Sequence, residues 1–256
     1  VNVMKHEIDN KILERQRKEA EYHDKKTLEG DSNQRRRHSP YYSYFEDIIG
    51  EVHGLNILDL GCGDGWFGMQ LVKMGGHVWG VDISSALLKQ ALKLIRKEGL
   101  RRDFRVVRMA AEELSFASEY FDKVIGSAIL HHTNIELTIQ GIKRVLKTGG
   151  QGIFIEPMNE NILLRIWRKL TPWRRSPLER ALELKDIENL AKYFPKMECV
   201  YFCLTSIITE GLMILYPKSK IIDMLDSLLS KVDAFLLRKL PYLGRYCAVV
   251  ILRFQK

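Results

Sequence analysis

The hydrophobic and polar positions between about residues 55 and 157 alternate between strand-like and helix-like spacing. Leu55–Leu60 is a short, mostly apolar run, which predicts a buried strand. Apolar residues at near-helical spacing follow it, from Phe67 to Met74. The same succession continues, with strands predicted over 77–82, 104–107, 120–128 and 152–156 and helices predicted from Ser84 and over 135–147. Because right-handed crossovers place helices on both faces of such a sheet, the pattern predicts a doubly wound α/β fold.

The pattern changes after Pro157. A helix is predicted over 182–194, and alternating apolar positions predict strands over 197–205 and 245–254. Between these strands runs a long apolar connection whose apolar residues share one helical stripe: Ile221, Leu225, Leu228, Val232, Phe235 and Leu236. Connections of this length usually carry function. A lid, a dimer face and a lipid-contacting surface are all open at this point.

Three glycines at alternate positions, Gly61, Gly63 and Gly65, follow the first predicted strand directly. Glycine has no Cβ, so it can adopt a positive φ and let a ligand approach the backbone. The helix that begins after Gly65 also directs unpaired N–H groups toward this turn. Asp82 ends the second predicted strand, 17 residues after Gly65, where a carboxylate can accept hydrogen bonds from both ribose hydroxyls. The sequence therefore predicts a nucleoside site beyond the carboxyl ends of the strands.

Four motifs within residues 53–157 resemble, in order, those of class I S-adenosylmethionine (SAM)-dependent methyltransferases. Asp59–Gly65 resembles their first motif, and Val81–Ser84 resembles the segment that carries their ribose-binding acid. Phe121–His132 resembles their fourth-strand motif, and Arg144–Gly150 resembles the turn before their fifth strand. The resemblance is to the small-molecule branch that includes ubiquinone-biosynthesis-like enzymes. A dinucleotide dehydrogenase would instead favour Gly-x-Gly-x-x-Gly.

The resemblance implies a Rossmann-like sheet of seven strands, the last inserted antiparallel, and SAM as the cofactor. The backbone of the glycine turn would approach the methionine and ribose portions of SAM. Asp59 would support the turn and help hold the cofactor's amino group, and Asp82 would bind the ribose.

Adenine recognition departs from the family pattern. An acid often contacts the adenine amino group where this chain has Ala110, so the contact is expected from the backbone of Ala111 and from Glu112 instead. The remaining residues predicted at the cofactor site are Cys62, Ile83 and Ser127. Cys62 is expected to be a small filler rather than a nucleophile.

His131 and His132 follow the fourth predicted strand, above the expected methyl position. Methyl transfer from a sulfonium is an in-line displacement, so the enzyme contributes mainly by positioning the nucleophile and excluding water. A hydroxyl nucleophile also needs a base, and histidine suits this task because its pKa lies near neutrality. We predict that one of the two is the base, with His131 preferred; the alternative is a structural or substrate-lining histidine. No metal is predicted, because the sulfonium is already activated.

The chain is predicted to comprise a helical flap or arm over 1–52 and a methyltransferase domain over 53–256, with insertions at about 158–183 and 207–242. Arg35–His38 is either a solvated charge run or an anion contact. Ser39 and Pro40 predict a helix start, and four aromatic residues follow: Tyr41, Tyr42, Tyr44 and Phe45. One of the three tyrosines is a candidate to line the site; the alternative is that they are packing aromatics.

A basic amphipathic segment follows the fifth predicted strand. Leu163, Ile166, Trp167 and Leu170 share one face, and Trp173–Arg175 follows. Such a segment can lie on an anionic membrane or cover an apolar substrate, and it can equally dock on its own sheet.

The net charge of +8 suits an anionic partner, a membrane surface or a nucleic acid. Charges nearly balance over residues 5–29, so a nucleic-acid arm is not supported. The four cysteines form no Cys-x-x-Cys pair, the charged N-terminus does not resemble a signal peptide, and no apolar run is long enough to span a membrane. We therefore expect a cytoplasmic protein, with peripheral membrane contact left open.

The sequence alone leaves three functions open. The leading one is methyl transfer from SAM to a small-molecule acceptor, an apolar or lipid-like hydroxyl compound. An RNA methyltransferase is the second, but no Asn-Pro-Pro-Tyr-type motif and no appended RNA-binding module are present. The third is a SAM-binding module without catalysis, against which the intact glycine turn and Asp82 argue. A homodimer stays open.

Overall fold

The computed structural model of the chain describes residues 2–28, 40–172, 176, 179–216 and 219–256. Its strands are β1 (Asn56–Leu60), β2 (His77–Asp82), β3 (Phe104–Arg108), β4 (Phe121–Ser127), β5 (Leu146–Pro157), β6 (Met197–Phe202) and β7 (Val249–Gln255). Its helices are α1 (Asn2–Leu28), α2 (Pro40–Ile49), α3 (Trp66–Lys73), α4 (Ser85–Lys97), α5 (Ile135–Val145), α6 (Ile162–Leu170), α7 (Leu184–Tyr193), α8 (Ile207–Leu215) and α9 (Lys220–Lys239).

The seven strands form one sheet in the order β3-β2-β1-β4-β5-β7-β6. The strands from β1 to β5 pair in parallel, and β7 runs antiparallel between β5 and β6. The predicted doubly wound sheet with an antiparallel last strand is therefore confirmed.

Two apolar layers enclose the sheet. Side chains alternate between the faces of a strand, so Ile57 packs in the layer that contains α2, α3 and α4. Leu58 packs in the opposite layer, with Ile142 of α5 and Leu190 of α7. The carboxyl ends of the parallel strands consequently meet at one edge, where the polar residues of the predicted site follow β1, β2 and β4.

Several predicted boundaries were wrong near irregular backbone. Strand β5 begins at Leu146, which pairs with Phe121, rather than at Gly152. The predicted helix over 135–147 therefore ends at Val145. Strand β6 ends at Phe202 because Cys203 has a φ of +62°. The predicted last strand begins at Val249, because Pro241–Tyr246 forms a 3-10 helix.

The two predicted insertions contain helices with exposed apolar residues. Ile166 and Leu170 of α6 are exposed, although Trp167 lies against Gly211 of α8. The connection over 207–242 is two helices, α8 and α9, rather than one stripe. Within the described parts of the chain, no helix combines the length and hydropathy that crossing a bilayer requires.

Some predicted features lie outside the described residues, namely the Arg35–His38 run, the Ser39 cap and Trp173–Arg175. The division into a flap over 1–52 and a domain over 53–256 stays a prediction. The helix predicted near the N-terminus is present as α1, which packs against α4.

Replacing Gly152 with alanine should destabilise the fold. A Cβ at this position in β5 would overlap the ring of Phe254, which is buried on the neighbouring strand. Overpacking of this kind costs about 1–3 kcal/mol, which chemical denaturation can measure. Gly141→Ala is the matched control, because its Cβ would meet Leu114 at an ordinary 3.6 Å and alanine favours the helix. Equal stability of Gly152→Ala and the wild type would contradict the β5–β7 packing.

Candidate active site

The turn between β1 and α3 holds its glycines in conformations that other residues rarely adopt. Gly63 has a φ of +55°, and a Cβ there would meet nothing within 4 Å, so the backbone borders open space. Gly65 has a φ of +79°, and a Cβ there would lie 2.9 Å from the Cβ of Ala91 in α4. The N–H groups of Gly61 and Cys62 both donate to the carbonyl of Val81, at 2.8 and 3.0 Å. The turn is thus fixed to β2 and leaves room for a ligand.

Asp82 faces this turn from the end of β2. Its Oδ2 accepts a hydrogen bond from the Gly63 N–H at 2.9 Å, and its Oδ1 accepts one from the Ser84 N–H at 2.8 Å. Burial raises the pKa of the Asp82 carboxyl, although these backbone N–H groups oppose the shift. Each carboxylate oxygen keeps a further lone pair, so both can accept hydrogen bonds from a ligand.

Asp59 is buried beneath the same turn. Its Oδ2 accepts no hydrogen bond from the described residues. Burial, together with the charge of Asp82, raises the pKa of the Asp59 carboxyl to about 7. A buried carboxylate without a partner is costly, and a cationic group of a ligand would satisfy it. Cys62 also lies here, and burial raises the pKa of its thiol well above the usual range, so no reactive thiolate forms.

A cavity of about 600 Å³ adjoins the end of β2. Ile83, Met109 and Ala110 form part of its wall, and Ala20 and Asp24 of α1 form another part. The residues predicted to contact adenine are placed differently: Ala111 lies in the core, and Glu112 accepts a hydrogen bond from the Asn134 N–H at 2.8 Å. Their contact with adenine stays a prediction.

Helix α1 reaches across the site. The sequence predicted a helical flap or arm here but not the residues that it contacts. Asp24 accepts hydrogen bonds from the Ser84 hydroxyl and from the Ala86 N–H, the latter at 2.9 Å, at the first turn of α4. Glu19, which is buried, accepts a hydrogen bond from the Ser176 hydroxyl at 2.6 Å. The only sequence signal was the spacing of Glu19 and His23, which places both side chains on one helix face.

His131 is buried at the exit of β4 and is held by Glu156 of β5. Its Nδ1 lies 2.7 Å from Glu156 Oε2, and Glu156 Oε1 accepts hydrogen bonds from the Ile129 and Leu130 N–H groups at 2.9 and 2.8 Å. Burial lowers the pKa of His131, although the hydrogen bond to Glu156 opposes the shift. The imidazole is therefore neutral at pH 7. With Nδ1–H donated to Glu156, the lone pair lies on Nε2.

His132 has the opposite electrostatic environment. Burial disfavours its charged form, but the hydrogen bond to Glu19 and nearby carboxylates outweigh burial and raise its pKa. Its Nδ1 lies 3.1 Å from Glu19 Oε2, and its Nε2 lies 4.0 Å from Glu179 Oε2. The rings of His131 and His132 are 4.1 Å apart between centroids. The two histidines therefore lie together, but their surroundings shift their pKa values in opposite directions.

Two overlapping sets of side chains here have the spacing of metal ligands, Glu19, His23 and His132, and His131, His132 and Glu179. Within each set the ligand atoms lie within 4.8 Å of one another, so the cluster could hold a divalent cation. Both carboxylates already have partners in the chain: Glu19 is hydrogen-bonded to His132, and Glu179 forms an ion pair with Arg168. The prediction that no metal is needed stays a prediction.

A second cavity, of about 590 Å³, opens beside His131 between α5 and α7. Its apolar wall includes Ile135, Ile139 and Leu190, and Arg15 of α1 also lines it. At the end of β4, the Ser127 hydroxyl lies 3.3 Å from the hydroxyl of Tyr42. Of the aromatic residues considered for the site, Tyr42 is thus the one that reaches a predicted site residue.

Comparison with known proteins identifies the domain. Residues 57–150 match a family model described as a methyltransferase domain. The ubiquinone biosynthesis O-methyltransferase of Agrobacterium fabrum is 28% identical over 146 residues, which cover 57% of this chain and 51% of that protein. The chain thus spans about half the length of the curated relatives it matches.

Solved structures share the fold. The phosphoethanolamine N-methyltransferase 2 of Haemonchus contortus, in complex with phosphomonomethylethanolamine and S-adenosylhomocysteine, has a TM-score of 0.60 at 22% identity, covering 84% of this chain and 53% of that one. A SAM-dependent methyltransferase from Mesorhizobium loti has a TM-score of 0.59 at 19% identity, covering 86% of this chain and 99% of that one. The matched residues 57–150 lie within the sheet that carries the glycine turn and Asp82, so this part of the chain is similar to a methyltransferase domain, and the whole sheet has the fold of the solved SAM-dependent methyltransferases.

Proposed function

We propose that this chain transfers a methyl group from SAM to the hydroxyl of a small, apolar or lipid-like acceptor. One observation carries the proposal. The His131–Glu156 pair, which offers a neutral imidazole, lies at the same edge of the sheet as the carboxylates of Asp59 and Asp82. Methyl transfer to a hydroxyl requires a base next to the cofactor site. We call the glycine turn, Asp59 and Asp82 together the cradle for the cofactor.

The cradle fits SAM. Asp82 would hold the ribose hydroxyls with the lone pairs that Gly63 and Ser84 leave unused. The buried Asp59 carboxylate, whose Oδ2 accepts no hydrogen bond from the described residues, would pair with the ammonium group of the methionine portion. Ile83 and Ala110 border the cavity that an adenine would enter. The open space at Gly63 lets the backbone approach the ligand.

His131 is the proposed base. Glu156 fixes its orientation and its tautomer, which leaves the lone pair of Nε2 to accept a proton from the acceptor hydroxyl. Nε2 lies 3.7 Å from Glu179 Oε1, which pairs with Arg168, so the hydroxyl would approach Nε2 beside this ion pair. When bound, SAM supplies an electrophilic methyl group on its sulfonium. The acceptor oxygen would take this methyl group as the S–CH₃ bond breaks, its proton would pass to His131 Nε2, and S-adenosylhomocysteine would leave. His132 is held by Glu19 and would offset the negative charge of the carboxylates around it rather than take this proton.

An apolar acceptor is supported by the cavity beside His131. Ile135, Ile139 and Leu190 form an apolar patch on its wall that suits an alkyl or prenyl chain, whereas the rest of the lining is mostly polar or charged and would contact a polar end of the acceptor. The similarity of the matched region to ubiquinone biosynthesis O-methyltransferases is compatible with such an acceptor. Net charge and the exposed apolar residues of α6 and α9 are compatible with a chain that meets such an acceptor at a membrane surface.

The proposal is tested with methyl-labelled SAM and three acceptors, namely a prenylated phenol, a water-soluble catechol and tRNA. We expect label in the prenylated phenol, with transfer at least about tenfold above the water-soluble compound, because apolar contact stabilises the longer acceptor. Transfer only to the catechol would contradict the lipid-like acceptor. Transfer only to tRNA would support an RNA methyltransferase, and SAM binding without transfer to any acceptor pool would support a non-catalytic module.

A further inference from the structure

Helix α9 is attached to the fold through a face that combines two acids, Asp226 and Asp233, with the buried Ile222. Asp233, which is buried, accepts hydrogen bonds from the N–H groups of Leu204, Thr205 and Ser206, at distances from 2.9 to 3.2 Å. The Thr205 and Ser206 hydroxyls donate to the same carboxylate, at 2.6 and 2.8 Å. Asp226 accepts a hydrogen bond from the hydroxyl of Thr209 in α8. The hydrogen bonds of Asp226 and Asp233, together with the burial of Ile222, therefore orient this helix.

An apolar stripe of α9 faces outward; it includes Met224, whereas Leu225 and Leu236 of the predicted stripe are half-buried. At about 100° per residue, five large apolar residues fall within an arc of roughly 80°. Their side chains are exposed by the following fractions: Ile221 78%, Met224 73%, Leu228 59%, Val232 39% and Phe235 54%. A helix of a globular protein normally turns such a stripe toward the core. An exposed apolar patch on this scale marks an interaction surface.

The charges beside the stripe are almost all positive. Five basic residues are exposed on α9 and the segment that follows it: Lys220, Lys231, Arg238, Lys239 and Arg245. On the helical wheel, Lys220, Lys231 and Arg238 border one edge of the stripe. Of the three acids in α9, only Asp223 is exposed, because Asp226 and Asp233 are engaged with the fold. An outward apolar stripe with basic residues along one edge suits the headgroup region of an anionic bilayer.

We propose that α9 binds the surface of an anionic lipid bilayer, with its apolar stripe at the level of the acyl chains and its basic residues at the headgroups. A second copy of the chain is the weaker occupant, because a symmetric contact would bring two rims of positive charge together. At about 1.5 Å per residue the helix is about 30 Å long, so it presents the stripe along the membrane plane. The proposal stands independently of methyl transfer.

Vesicle co-sedimentation of the full chain tests this surface. Vesicles of phosphatidylcholine with phosphatidylglycerol are compared with vesicles of phosphatidylcholine alone, at low and at high salt. We expect binding to the anionic vesicles that weakens as salt rises, and at least tenfold weaker binding to the neutral ones. The double variant Leu228→Asp/Phe235→Asp should lose at least tenfold in partitioning to anionic vesicles. Lys231→Glu/Arg238→Glu should lose binding mainly at low salt.

Leu92→Asp is the matched control, because Leu92 is an apolar residue exposed on α4, away from α9. It should bind vesicles as the wild type does. Circular dichroism and S-adenosylhomocysteine binding establish that each variant is folded, so a failure of this proposal is distinguishable from a failure of the proposed activity. Equal binding to both kinds of vesicle, or unchanged binding by Leu228→Asp/Phe235→Asp, would overturn the proposal. So would a wild-type dimer that this variant dissociates, with no vesicle binding by either.

Discussion

Asp82→Ala should weaken the binding of SAM by roughly 10²–10⁴-fold. The substitution removes the carboxylate that we propose accepts hydrogen bonds from both ribose hydroxyls, and each hydrogen bond to a charged group contributes about 1.5–3 kcal/mol. It also removes the acceptor of the Gly63 N–H, so the glycine turn loses a contact that fixes it. Isothermal titration calorimetry of the variant with SAM and with S-adenosylhomocysteine measures the change.

Asp103→Ala provides the control for this experiment. Asp103 is an acid next to β3 whose carboxylate contacts His77 at the opposite end of β2 from Asp82. Its removal changes the net charge by the same amount, and cofactor affinity should not change. If Asp82→Ala bound SAM as tightly as Asp103→Ala did, the ribose would have to be held elsewhere.

His131→Gln should reduce kcat by about 10²–10⁴-fold, which is the usual contribution of a general base, while SAM affinity stays unchanged. Burial lowers the pKa of His131, so its neutral form persists below the ordinary histidine pKa of about 6.5. The wild-type activity should therefore be flat from pH 8 down to about 6.5 and fall only below that value. Initial rates across this pH range, with the proposed acceptor, provide the measurement.

His132→Gln separates this role from a general effect of the cluster. His132 neighbours His131 but is held by Glu19 and has a raised pKa, so it is poorly suited to accept the proton. We expect a much smaller loss of kcat and the same position of the acid limb. A larger loss in His132→Gln than in His131→Gln would reverse the assignment of the base.

The cradle could be predicted from the sequence because its geometry is local. A strand, three alternate glycines and a helix restrict the backbone within ten residues, from Asn56 to Gly65. Asp82 follows from the end of the next strand, since neighbouring parallel strands end at the same edge. The hydrogen bond between Asp82 and Gly63 is the direct result of that arrangement.

The partners of the histidines could not be predicted in this way. Glu156 was expected only as the end of the fifth strand, although an acid at the end of a strand beside β4 is a signal for a contact with His131. Glu19 lies 113 residues from His132, and no local pattern connects them. The position of α1 depends on contacts with Ser84 and Ala86, which only the packed fold brings together.

The periodicity of α9 indicated a stripe but not its direction. Repetition of apolar residues identifies one face of a helix, and the usual inference is that this face is buried. Here α9 is apolar on both sides: Ile222 is buried beside Asp233, which accepts hydrogen bonds from the N–H groups that precede α8. Periodicity alone does not show which of two apolar faces packs inward, because that depends on tertiary contacts such as those of Asp233.

The central claim is that the glycine turn, Asp59 and Asp82 form a cradle for the adenosyl sulfonium of SAM. Titration of the purified full chain with S-adenosylhomocysteine, and separately with NAD⁺, in a calorimeter tests this claim most directly. We expect saturable binding of about one S-adenosylhomocysteine per chain and no measurable heat with NAD⁺. Binding of NAD⁺ without any heat from SAM or S-adenosylhomocysteine would contradict it.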